Sequence, residues 1–458
     1  MFSSDTIAAI ATGKLISPVG IIRISGERAI AAADELFKAK KGIKLKDATS
    51  GCMYYGELRD KNGGLIDLCL CLVSKAPHTY TGEDTVELHC HGSPVVLSMV
   101  MQELFSRGVR QAGAGEFTKR AFLNGRLDLT QAEAVIDLIE AQTPYTVKNA
   151  AGQLNGAVYT KLDVIYNRLV DVMAHFHAVL DYPDEDIDEF KIKSYLSTLR
   201  ESEEELTRMI KTHERGKVLK TGIPTAIVGR TNTGKSSLLN ALLGYNRAIV
   251  TDVAGTTRDT IEEKVLIGNV LLRLIDTAGL RKTGDNIEKL GIERTYEAIN
   301  KAGLIIVVLD GSQKLTDEDY FVLESIPADT PVIVVINKSD LPTVLDPAEL
   351  AKFGFKHCRI SALTEEGLHL LDEEIEKMFP EFENSPSGEI ITNIRQVEAI
   401  SKAVDSIRLA AEALTAAVTP DAVLTDIEAA LSAIGEVTGK TVKEDIVSRI
   451  FDRFCVGK

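Results

Sequence analysis

The stretch that most constrains this chain runs from Ala226 to Asn240. An apolar run, Thr225 to Val228, leads into Gly229; four residues later come Gly234-Lys235-Ser236, and a helical pattern of Ser237, Leu238, Leu239, Ala241, Leu242 and Leu243 follows. G-x-x-x-x-G-K-S between a strand and a helix is the spacing of a backbone loop that wraps a polyphosphate. Its N–H groups converge only where side chains are out of the way, which glycine permits. The helix start adds partial positive charge. Asn232, Thr233, Gly234, Lys235, Ser236 and Ser237 are therefore expected against phosphates, with Lys235 reaching the β- and γ-phosphates and the Ser236 hydroxyl ligating Mg²⁺.

Further motifs follow in order. The runs Ile261 to Leu266 and Val270 to Ile275 flank Gly268-Asn269 and predict a β-hairpin. The second run delivers Asp276-Thr277-Ala278-Gly279, where Asp276 would hold the Mg²⁺ shell through water and the Gly279 N–H would meet a γ-phosphate. Between the phosphate motifs, Thr251-Asp252-Val253-Ala254 leads into Gly255-Thr256-Thr257-Arg258-Asp259. A threonine hydroxyl there would close over the metal, and likeness to other GTPases assigns this to Thr257. After the apolar run Val332 to Ile336 comes Asn337-Lys338-Ser339-Asp340, and after another short strand comes Ser361-Ala362-Leu363. The Asp340 carboxylate can accept from both the ring N–H and the exocyclic amine of guanine. Adenine has no donor at that ring nitrogen and would leave a buried acceptor unpaired. The nucleotide expected is GTP or GDP.

With 458 residues the chain exceeds one hydrophobic core, and two to four domains are expected. A formal charge of -15 argues against a dominant nonspecific nucleic-acid binder while leaving room for a local basic face. No apolar run is long enough to cross a bilayer, and Met1 to Gly20 lacks the pattern of a signal peptide, so a cytosolic protein is expected, with no membrane partner. Six cysteines in so long a chain are not a disulfide framework. Cys69 and Cys71 share one strand face and read as buried small hydrophobes, and in His89-Cys90-His91 a strand would point Cys90 away from both histidines, against a zinc site.

Taken in order, residues 1–122 read as a mixed α/β domain. Strands are expected at Gly20 to Ser25, Met53 to Leu58, Leu65 to Val73 and Thr85 to His89, and helices at Ser25 to Lys38 and Ser93 to Ser106. Polar stretches around His78 to Asp84, Glu87 to Gly92 and Gly115 to Leu129 suggest a loop-rich polar site. From 123 to 215 the pattern is helical, over Gln131 to Gln142, Val147 to Leu180 and Ser194 to Arg215. The acidic run Asp181 to Phe190 reads as a solvated loop or, more sharply, as a docking patch for a basic partner. Residues 216–380 form an inserted α/β domain with a parallel-rich sheet, and 381–458 resume the helical pattern. The two helical parts are expected to pack as one bundle, with hinges near Lys217 and at Glu381 to Gly388.

Asp5 to Thr12, Tyr80-Thr81-Gly82-Glu83-Asp84, Gly115 to Gly125, the inserted domain and the terminal Phe454-Cys455-Val456-Gly457-Lys458 together resemble the MnmE (TrmE) family of tRNA-modifying GTPases over essentially the whole length. The resemblance implies a folate-binding N-terminal domain that forms a homodimer, a helical domain, and an inserted Ras-like P-loop G domain. It further implies partnership with the FAD protein MnmG, in a heterotetramer, to place a carboxymethylaminomethyl or aminomethyl group on carbon 5 of the wobble uridine of certain tRNAs. A 5-formyltetrahydrofolate-type one-carbon donor would sit against Arg23, Glu87, Arg126 and Lys458. The resemblance also assigns water positioning to Glu288, because Leu280 stands where Ras-like enzymes carry glutamine. A K⁺ ion would be held by Asn232, Thr251, Val253 and Thr256 in place of an arginine finger. Departures from the family pattern lie in Gly13 to Gly20 and in Thr231 and Thr233 of the phosphate loop. Two other readings stay open: a GTP-regulated switch in RNA or ribosome maturation, and a folate-dependent one-carbon transfer protein whose G domain only regulates.

Overall fold

The computed structural model describes residues 5–13, 15–181, 189–245, 263–275, 297–380, 388–416, 418–441, 447, 450–452 and 454–457. Its contacts divide into two compact units. One comprises Met1–Ile136, Val158–Asp188 and Glu412–Lys458; the other comprises Asp137–Ala157 and Glu189–Ala411.

The first unit is built on a seven-stranded sheet ordered β3-β4-β5-β6-β2-β1-β7. Its strands are β1 (Ile7–Ile10), β2 (Ser17–Ser25), β3 (Phe37–Ala39), β4 (Cys52–Arg59), β5 (Leu65–Ser74), β6 (Thr85–Gly92) and β7 (Arg110–Gln111). All neighbours are antiparallel except β1 and β7. Side chains alternate across the pleat. Cys69, Cys71, Val73, Val86, Leu88, Cys90, Ile22 and Ile24 turn inward onto the helices Ala29–Leu36 and Pro94–Ser106. The cysteine reading therefore holds: Cys69, Cys71 and Cys90 are buried, while His91 on the opposite face is exposed. Burial raises the Cys71 thiol pKa to about 12, which keeps it a neutral core group. Among the described residues no cluster of His, Cys, Asp or Glu fits a metal ion.

The helix expected over Ser25 to Lys38 is shorter, because Phe37 turns into β3 and pairs with Leu58 of β4. The single helix expected over Val147 to Leu180 is two, Pro144–Leu154 and Ala157–Asp181. Gly156 between them takes φ +87°, a left-handed turn that ends the first. Near the C-terminus Phe451 and Phe454 pack on Phe122, Ala132 and Val135. Val456 bridges to Ala114, which sets Gly457 against the end of β1 at Ile10. Lys440 is pinned by Asp163 at 2.8 Å and lies over the Tyr166 ring.

The second unit holds a six-stranded sheet ordered β13-β12-β11-β8-β10-β9. Its strands are β8 (Ile223–Val228), β9 (Glu263–Ile267), β10 (Val270–Leu274), β11 (Leu304–Asp310), β12 (Val332–Asn337) and β13 (Lys356–Arg359). Five run parallel, and only the edge strand β9 is antiparallel, closing the expected hairpin with β10. β11 and β12 are buried along their whole length, as strands covered on both faces must be. The helices Lys235–Tyr245 and Leu368–Met378 cover one face, sharing a core with Leu238, Leu242, Leu371 and Ile375.

The joint expected to hinge near Lys217 is helical. Lys217 lies inside the helix His213–Thr221, which ends at Gly222 (φ +87°) directly before β8. On the return side, the segment Ile390 to Thr392 is held by several bonds. Asn149 and Gln153 donate to the Ile390 carbonyl at 3.0 and 2.6 Å, Thr212 Oγ1 accepts from the Ile391 N–H at 3.0 Å, and Thr392 Oγ1 donates to Asp137 at 2.7 Å. Ile390 and Leu219 enter the core beneath the sheet. A Cβ at Gly216 would overlap the Ile391 carbonyl, so glycine there permits the close approach. Residues 381–387 and 182–188, which include the second expected hinge and most of the acidic loop, lie outside the described residues.

Candidate nucleotide site and N-terminal polar site

The phosphate loop leaves β8 at Gly229, whose φ of +143° and approach to the Val308 carbonyl exclude a side chain. Gly234 closes the loop at φ +100°, where a Cβ would overlap the Asn337 side-chain amide. Asn232 takes φ +65°, a left-handed conformation that asparagine tolerates better than most residues. Lys235 Nζ donates to the Gly229 and Arg230 carbonyls at 2.7 and 2.6 Å. Burial lowers its pKa by desolvating the ammonium. Thr233 is buried and donates to the Arg230 carbonyl at 3.1 Å, so the unusual threonine fits the loop as an internal brace. Ser236 and Ser237 sit exposed in the first turn of the helix Lys235–Tyr245.

Asn337 fastens this loop to the base-reading segments. It is buried at the end of β12, donating Nδ2 to the Thr233 carbonyl at 2.9 Å and accepting at Oδ1 from the Ala362 N–H at 2.9 Å. Buried Ser361 donates to Asp340 Oδ1 at 2.6 Å, orienting the carboxylate expected to read guanine. Lys338, at φ +64°, donates to Asp310 Oδ2 at 2.7 Å. Asp310 was not singled out from sequence. The signal available was a carboxylate ending the apolar run Leu304 to Leu309, opposite Asn337 in the sheet register.

Burial alone would raise the Asp310 carboxyl pKa. The Lys338 ammonium and two donors from Ser312 outweigh it and hold the carboxyl below its usual range. A group depressed in the folded state stabilises fully above its unfolded pKa, about 4 for aspartate. That contribution is lost as pH falls through the folded value. The wild type is therefore expected to lose melting temperature more steeply below about pH 4 than Asp310→Asn. Parallel melting curves for the two across that range would contradict the assignment.

Of the sequence-predicted residues, the structure gathers Asn232, Thr233, Gly234, Lys235, Ser236, Ser237, Asn337, Lys338, Asp340, Ser361 and Ala362 at one end of the parallel strands. Thr251, Asp252, Val253, Ala254, Gly255, Thr256, Thr257, Asp276, Thr277, Ala278, Gly279, Glu288 and Lys458 lie outside the described residues.

The polar site of the first unit is built across β2 and β6. Arg23 and Glu87 face each other in the register, with Arg23 Nε donating to Glu87 Oε1 at 2.8 Å. The guanidinium also lies over the rings of Tyr80 and Phe117, at 5.5 and 5.7 Å. Arg126 joins them indirectly, donating to the Thr79 carbonyl at 3.0 Å and so holding the loop that carries Tyr80. A partly buried network secures the other side of that loop. Arg120 donates to Glu83, Glu116, Asp5 and the Asp5 carbonyl, while Ser25 donates to Glu83 at 2.7 Å. Tyr80 and Arg120 stand in the stretches Tyr80 to Asp84 and Gly115 to Gly125; sequence marked those stretches as polar but did not assign these two side chains.

A parallel-rich sheet, a phosphate loop and an Asn-Lys-Ser-Asp segment tied to Ser361-Ala362 define a P-loop GTPase domain carried within a larger chain. Residues 129–455 match the family described as the MnmE helical domain, and residues 6–126 match the GTP-binding protein TrmE N-terminus. Proteins called tRNA modification GTPase MnmE from Clostridioides difficile and Alkaliphilus metalliredigens are each 42% identical, with 100% of both chains covered. The one from Lacticaseibacillus paracasei is 42% identical over 99% of this chain and 98% of its own. The chain belongs to the MnmE family of tRNA modification GTPases.

Proposed function

We propose that this GTPase acts as a homodimer with the FAD protein MnmG, in a heterotetramer, to add a carboxymethylaminomethyl or aminomethyl group to carbon 5 of the wobble uridine of certain tRNAs. Mg²⁺ is held by Ser236 and Thr257. Asn232, Thr251, Val253 and Thr256 would hold K⁺, which would supply positive charge against the phosphates there. Glu288 positions the attacking water. Arg23, Glu87, Arg126 and Lys458 take a 5-formyltetrahydrofolate-type donor, Glu87 meeting the guanidine-like pterin edge and the basic groups the anionic tail. The domain limits 1–122, 123–215, 216–380 and 381–458 are part of the same reading.

The observation that carries it is the Arg23–Glu87 pair, set on the sheet face turned away from the helices Ala29–Leu36 and Pro94–Ser106, in a chain that also carries the phosphate loop and Asn337-Lys338-Ser339-Asp340. That face continues over β4 and β5 through Met53, Tyr55, Leu68 and Leu70, which are 48, 51, 38 and 40% exposed. So much contiguous apolar surface suits a second copy of the chain.

Exchanging K⁺ for Na⁺ at constant ionic strength is expected to lower GTP turnover about tenfold or more, the scale of one lost charge-stabilising contact. Unchanged turnover would remove the monovalent cation from the scheme. Mass spectrometry of wobble uridines from cells lacking the protein tests the substrate; unaltered nucleosides would rule out the tRNA role.

A further inference from the structure

The pair Arg23–Glu87 has a neighbour that the proposed site does not use. In the sheet register Glu87 lies between Arg23 of β2 and Leu72 of β5, and His89 lies in the next row between Ile21 and Leu70. His89 therefore projects from the same face as Glu87. Its Nε2 stands 3.5 Å from Glu87 Oε2, beyond hydrogen-bonding length, while the other carboxylate oxygen is taken by Arg23. That nitrogen is screened from solvent and has no hydrogen-bond partner among the described residues. His91, two residues on and on the same face, bonds to Asp67 at 2.7 Å.

A polar atom withdrawn from water and left unpaired is destabilising, a cost that a bound partner would offset. Glu87 Oε2 and His89 Nε2 are adjacent and turned to the same face, amid Leu70, Leu72 and Ile21. A flat heteroaromatic ring with polar atoms along one edge suits that surface: its faces lie on apolar side chains and its edge meets both groups. Imidazole can donate or accept at Nε2 according to tautomer, so it can complement an edge that alternates N–H and C=O.

We infer that His89 is a third ligand-contacting residue of the Arg23–Glu87 site and reads the same ring edge as Glu87. The inference rests on the folate reading above and sharpens it, since that reading assigns no role to His89.

The test is calorimetric titration of the full-length protein with 5-formyltetrahydrofolate, comparing wild type, His89→Leu, His89→Gln, Glu87→Gln and the Glu87→Gln/His89→Leu double variant. H89L is expected to weaken binding about tenfold, the loss of one buried hydrogen bond, and H89Q to recover most of it. The double variant is expected to lose less than the product of the two single losses, as groups contacting one ligand edge do. Thermal melting accompanies each variant, and His89→Phe replaces H89L if the latter melts early. Binding by H89L within about twofold of wild type, or H89Q as weak as H89L, would overturn the role of His89 while leaving the folate site standing. Failure of the wild type to take up the folate would sink both.

Discussion

Asp340→Asn is expected to weaken GTP binding by about a hundredfold or more, the cost of turning a charged double acceptor into a group that presents a donor to a donor. The side chain is not free to swing clear of the clash. Ser361, itself buried, donates to Oδ1 at 2.6 Å, and the Ser361 Oγ also accepts from the Thr364 N–H at 3.2 Å. An asparagine held by the same serine turns its amide nitrogen toward the ring. Xanthine carries a carbonyl where guanine carries the amine, so xanthosine triphosphate should be bound better by the variant than by the wild type. Equilibrium titration with fluorescent guanine and xanthine nucleotides measures both affinities. Wild-type affinity for GTP in the variant would remove Asp340 from base recognition.

Gly234→Ala is expected to lose a comparable amount by a different route. Alanine at φ +100° is strained by about 1–3 kcal/mol. Its methyl would also overlap the Asn337 amide, the group that ties the phosphate loop to β12. Displacing Asn337 leaves the Thr233 carbonyl and the Ala362 N–H short of a partner in a dry interior, about 1–3 kcal/mol each. The predicted result is a fall of about a hundredfold in nucleotide affinity together with a lower melting temperature. The joint fall separates this variant from Asp340→Asn, whose residue is exposed and whose fold should hold. A variant that melts and binds like the wild type would show that Asn337 is not the clasp described.

The nucleotide site was legible because a backbone that embraces phosphate demands glycine at fixed intervals, and Gly229 and Gly234 take the left-handed conformations their spacing implied. The buried strands β11 and β12 were equally plain, being short unbroken apolar runs. The pairing of Arg23 with Glu87 could not be read from the residues alone. Sixty-four positions separate them, and only the antiparallel register of β2 and β6 makes them neighbours. Asp310 and Arg120 escaped notice for the same reason: each is defined by partners distant in sequence. β3 was misread as helix end because Phe37 and Leu36 continue an apolar stripe, and the pairing of Phe37 with Leu58 overrides that local preference. The break at Gly156 was passed over because the apolar stripe resumes on its far side.

The seam at Ile390 to Thr392 changes what kind of machine the inserted domain can be. A domain strung on two slack tethers would swivel, and little of the force from hydrolysis would reach the helices beside it. Here one tether is a helix running straight into β8, and the other is stitched to Asn149, Gln153, Thr212 and Asp137. Among the described residues, rotation at this seam would require several bonds to break at once, so a change of shape at the phosphates would reach the flanking helices with little lost motion.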